Sequence, residues 1–160
     1  MKNSFAVIAS GILVVSAPAT AQIIMKPNER IVSSATTVAR KVLPIAVLPD
    51  GSNVPEETPD ELAKPIVPDA LDAQTVQRGM LAAEMALCDL DWAALSFQPY
   101  MNKLRSSGRY SDKQLAYVGL LHGVTMEFTA NALSRFVQGC AKGSERQLTR
   151  MADVQDVQLP

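Results

Sequence analysis

Apolar residues recur at helical spacing through the second half of the chain, and no stretch after Asp69 alternates with the period of a strand. Val76, Met80, Ala83 and Leu87 share one face of a helix predicted over about 70–88. Gln74, Gln77, Arg78 and Glu84 lie mostly away from that stripe. Pro68 before Asp69, with Asp72 in the first turn, marks its start. Asp89-Leu90-Asp91-Trp92 then makes a turn or a short helix. Phe97-Gln98-Pro99 opens the next one, because proline at the first helical position gives up no hydrogen bond. That helix carries Tyr100, Met101 and Leu104 and stops at Gly108.

The clearest start follows. Ser111 and Gln114 form a capping box, each side chain serving the other's backbone N–H. A long apolar face then runs through Leu115, Val118, Leu121, Thr125, Phe128, Ala132 and Phe136 to Cys140. Gly119 and Gly123 within it suit either a close helix neighbour or a kink. Ser144 and Gln147 repeat the box and open a short helix holding Leu148 and Met151, with a frayed tail over 154–160.

The first half reads differently. One positive charge at Lys2, the apolar run Phe5–Val15, Pro18 and the small residues Ala19-Thr20-Ala21 predict a signal peptide over 1–21, cleaved after Ala21. The run is far shorter than the roughly 20 residues that cross a bilayer. No later run is long enough either, so a periplasmic protein with no membrane span is expected. Between Asp50 and Asp72 seven acidic residues face one Lys64, and Pro55, Pro59, Pro65 and Pro68 interrupt every helix. Residues 22–68 are therefore expected to form a Pro-rich, extended and mobile arm. Ile45-Ala46-Val47-Leu48 is a candidate docking strand within it.

Export decides how the only two cysteines read. In an oxidising compartment Cys88 and Cys140 most simply form one disulfide. A metal site is the weaker alternative, since one histidine and this spacing fit no zinc motif. The domain, over 69–153, is thus predicted to be all-α, a small disulfide-stapled bundle of four to five helices. At that size a staple contributes a large share of the stability.

The chemistry-bearing patterns are mostly missing. No nucleophile elbow, zinc-protease helix, phosphate loop or paired-cysteine redox motif occurs. Asp89 and Asp91, with Glu84 and Glu127, are candidate paired carboxylates, but caps explain the first two. His122 and Met126 share a helix face without further ligands. No catalytic residue, metal or cofactor is assigned. Residues 73–160 hold nine Lys and Arg against eight Asp and Glu, which leaves nucleic acid no electrostatic footprint.

The stretch Cys88–Cys140 holds the only Trp, the only His and six of the seven Phe and Tyr residues. An Asp-rich turn after the first cysteine, Phe97-Gln98-Pro99 opening a helix, a polar loop over 106–112, a helix into the second cysteine and a short charged helix beyond follow in order. This layout resembles the HdeA/HdeB family of small periplasmic acid-stress chaperones. The resemblance covers about Met85 to Met151. It implies a homodimer near neutral pH that loosens in acid and offers apolar surface to unfolding client proteins. Trp92, Phe97, Tyr100, Val118, Leu121 and Phe128 are the candidate binding residues. Protonating the eight carboxylates and His122 takes residues 73–160 from a formal +1 to +10, a self-repulsion that expands a small domain. The other reading of the same features is an envelope adaptor or inhibitor that binds one specific cell-wall enzyme or secretion component.

Overall fold

The computed structural model describes residues 27–135 and 139–157. The expected leader and Phe136 lie outside them. Among the described residues there are six α-helices and no strand: α1 (Glu29–Val42), α2 (Pro59–Leu62), α3 (Asp69–Leu87), α4 (Gln98–Ser106), α5 (Asp112–Leu133) and α6 (Ser144–Val157). No helix among them is long and apolar enough to cross a membrane. The central pair is α3 on α5, with α1 laid against both and α6 against α3. Cys88, at the end of α3, is bonded to Cys140, ahead of α6, so the staple is as expected.

Several ends follow the sequence signals. Ser111 and Gln114 form the capping box at α5, and Asp69 and Asp72 occupy the first turn of α3. Before α4 comes a π-helical segment, Ala93–Phe97, in the stretch between the Asp89–Trp92 turn and the Phe97-Gln98-Pro99 start to which the sequence assigned no element. The last helix is longer than expected, continuing through Val157 where a frayed tail was expected over 154–160.

The largest correction concerns the arm. From residue 28 onward the segment expected to be extended and mobile is part of the bundle. The Asn28 side chain accepts from the Arg30 N–H at 3.0 Å and starts α1. Ala35 and Ala39, four apart, are fully buried, so α1 lies close on its neighbours. Leu43, Val54 and Val67 are buried in the same core as Leu71, Val76, Leu115, Val118 and Leu121. The prolines guide the chain where breaks were expected. Pro44 sits in a short 3-10 turn, and Pro59 is in the first turn of α2, capped reciprocally by Thr58 and Glu61.

Charges expected to be solvated are paired across long sequence distances. The Arg40 guanidinium donates to both carboxylate oxygens of Glu57 and to the carbonyls of Glu61 and Lys64. Lys113 Nζ on α5 lies 2.8 Å from Glu61 Oε1 and 3.8 Å from Glu57 Oε1. A bidentate guanidinium–carboxylate pair fixes orientation as well as charge. Composition registers seven acids near one lysine; it does not register Arg40 and Lys113 arriving from either side.

Close helix approach also occurs elsewhere than expected. Apart from the local backbone of α5 itself, no heavy atom lies within 4 Å of the Cβ position of Gly119 or Gly123. A Cβ on Gly79 of α3, by contrast, would sit 2.7 Å from the His122 carbonyl oxygen and from Thr125 Cβ on α5. Gly79 is the contact point of the central pair.

Candidate functional site

The six residues nominated from sequence do not form one surface. Tyr100, Val118 and Leu121 are buried at 1% exposure or less. The Tyr100 hydroxyl lies 2.7 Å from Thr75 Oγ1, and burial pushes its pKa up to about 12. Trp92 and Phe97 are half-buried and close on His122, with ring centroids 5.9 and 4.7 Å from the imidazole. Phe128 stands apart on the outer side of α5, 43% exposed. Five of the six are thus in or against the core of the folded domain, where tight packing puts aromatic and branched side chains.

Arg78, expected among the polar positions of α3, is fully buried. Its guanidinium donates to the Ser96 carbonyl at 3.0 Å and lies 4.6 Å above the Tyr100 ring. Burial, helped by this cation, drives the His122 pKa down to about 4. Nε2 of His122 is buried without a hydrogen-bond partner, and no group of three potential metal ligands occurs among the described residues. Asp91 is a cap, its Oδ1 accepting from the Ala94 N–H at 3.0 Å.

The surface feature that sequence reasoning missed is a cleft of about 400 Å³ at the opposite end of α3 from the arm. It lies between α3, the end of α5 and α6, and the Cys88–Cys140 bond forms part of its wall. Met80, Leu81, Leu87, Leu133, Leu148 and Met151 give it an apolar lining. Gln77, Ser144 and Gln147 add neutral polar groups. Glu84 is the one charged side chain among the described lining residues. It is half-buried, and burial raises its pKa above the usual carboxylate range.

The cleft borders a second, smaller core. Leu81 and Met85 of α3 pack on Leu148 and Ala152 of α6, with Cys88, Leu90, Trp92 and Met151 around them. The α6 helix is held by this cluster and by the covalent bond ahead of it, separately from the main core. Periodicity marked Leu148 and Met151 as apolar but carried no signal that their neighbours across the gap leave a void. Comparison with models of known families, with curated proteins and with solved structures finds no match to this chain.

Proposed function

We propose that this is an exported periplasmic helical binding protein that holds apolar segments of unfolding proteins, in the manner of the acid-stress chaperones its Cys88–Cys140 stretch resembles. The observation that carries this reading is the open apolar cleft against the disulfide, lined by leucine and methionine. Flexible thioether side chains suit surfaces that accept varied partners, and a cleft of this size takes a few side chains of a client. The reading assigns no catalytic role and needs no metal or cofactor.

Burial and charge pairing fit a staged response, in which His122 and Asp72 partly offset each other between pH 6.5 and 4 and the arm's ion pairs are lost below that. His122 has its folded pKa below the ordinary 6.5, so its contribution is present above pH 6.5 and lost as pH falls towards 4. That loss amounts to about 3 kcal/mol. Asp72 acts in the opposite direction. Burial raises its pKa to about 6, so the folded state binds its proton first and gains stability between pH 6 and 4. Solvent screening of this partly exposed group reduces its effect to about 1–2 kcal/mol. Below that window the Lys113 pair, which lowers the Glu61 pKa to about 2, is lost between pH 4.5 and 2, and the arm loosens.

The titration has a sharp signature. His122→Leu becomes more stable between pH 6 and 4, while Asp72→Asn becomes less stable from pH 6.5 downward, by urea midpoints measured at each pH. Equal pH profiles for the two variants would remove both groups from the acid response.

The cleft itself is tested by filling it. Met80→Trp with Met151→Trp should at least halve the suppression of aggregation of an acid-unfolded client, with the circular dichroism spectrum unchanged. Full suppression by the filled variant, or none by the wild type between pH 7 and 2, would overturn the reading.

One observation favours the adaptor alternative. Residues 46–54 form a small hairpin in which the Val54 N–H donates to Ala46 and the Leu48 N–H to Ser52. Val47 within it is 67% exposed and Ile45, just before it, 72%, a surface to which a partner strand can add.

A further inference from the structure

We infer that the cleft beside the disulfide selects apolar peptide segments that carry a cationic side chain, with Glu84 as the residue that reads the charge. This rests on the binding role proposed for the same cleft and names the class of segment it prefers.

The argument begins with what surrounds Glu84. It lies one helical turn from Met80 on α3, on a wall that is otherwise neutral. None of the other described lining residues, on α3, at the end of α5, in the 139–141 turn or on α6, carries a charge. Among the described residues the Glu84 carboxylate has neither an ion-pair nor a hydrogen-bond partner, and burial is the single cause of its raised pKa. A half-buried carboxylate so placed loses hydration without compensation from the protein. The other partly buried glutamate, Glu57, is paired with Arg40 and Lys113. Glu84 is therefore a charge whose partner the fold itself does not supply.

A guest with only apolar groups would fill the cleft and desolvate Glu84 further, which costs affinity. A guest with an additional carboxylate would be repelled. A lysine or arginine flanked by apolar residues buries its aliphatic stem along Met80 and Met151 and sets its charged head at the carboxylate. It alone satisfies both the lining and the charge, and discrimination arises as much from rejection as from attraction.

The test uses the folded, oxidised chain at pH 7 and three acetylated, amidated octapeptides. These share one alanine- and leucine-rich sequence and differ at a central position, which is lysine, norleucine or glutamate. Binding is followed by fluorescence anisotropy. The lysine peptide should bind about three- to five-fold more tightly than the norleucine peptide, as expected for a half-exposed charge pair. The glutamate peptide should bind most weakly. Glu84→Gln should remove the difference between lysine and norleucine, and Glu84→Lys should reverse the order of lysine and glutamate. Both substitutions sit in an open wall, and an unchanged thermal midpoint confirms the fold. Equal binding of all three peptides by the wild type, or a lysine preference that survives Glu84→Gln, overturns the charge selection and leaves the cleft a binding site. Binding of none of the three overturns the cleft reading and the selection together.

Discussion

Removing the bond between Cys88 and Cys140 lowers the stability of the domain by about 4 kcal/mol, because it frees a 52-residue separation in the unfolded chain. The expected readout is the urea midpoint of Cys88→Ser with Cys140→Ser, compared with that of the oxidised wild type. Most natural domains have only about 5–15 kcal/mol of net stability, so the variant should be marginal at 37 °C. The loss is not expected to be uniform. The α6 helix shares only the smaller cluster with α3, through Leu148 and Ala152, so its amides should lose exchange protection before those of α5. A midpoint shift worth less than 1 kcal/mol would show that the helix contacts alone hold the ends together.

Alanine at position 79 destabilises the protein, although glycine-to-alanine inside a helix ordinarily stabilises by about 0.5–1 kcal/mol. The sign reverses because the new Cβ would meet the His122 carbonyl oxygen and Thr125 Cβ, both at 2.7 Å. Neither neighbour is the far end of a flexible side chain, so α3 and α5 must separate. Overpacking of this kind costs about 1–3 kcal/mol, and Gly79→Val should exceed it. The control is Gly119→Ala, where no neighbouring atom lies within 4 Å and the ordinary helix gain should appear. Thermal midpoints that rise for both alanine variants would show that the two helices are free to shift apart.

Features that depend on neighbours in sequence were legible from it. The capping box at Ser111, the acidic first turn of α3, and the pairing of the only two cysteines all rest on local chemistry or on number. Features that depend on which distant residues meet were not. The arm read as disordered because Glu57 and Glu61 were weighed against Lys64, whereas their partners are Arg40 and Lys113. Arg78 read as polar surface because α3 was given one apolar stripe, yet the buried face of the helix is wider than that stripe and includes Arg78 itself. The binding residues were chosen for apolar side chains, and burial claimed Tyr100, Val118 and Leu121 for the core. Glu84 read only as one of several candidate paired carboxylates, because its meaning lies in the absence of charge around it.

The position of α1 has a consequence for how the chain assembles. It is made before its partners, yet its buried face, Ala35 and Ala39, belongs against α3 and α5, with α2 and α4 still to be made between. Such a pairing joins residues far apart in the chain, and loop closure must precede any gain from it. An emerging α1 is therefore an amphipathic helix without a partner, exposed for as long as the rest of the polypeptide takes to arrive. Folding is expected to close on α1 last, with the packed α3–α5 pair as the template that receives it.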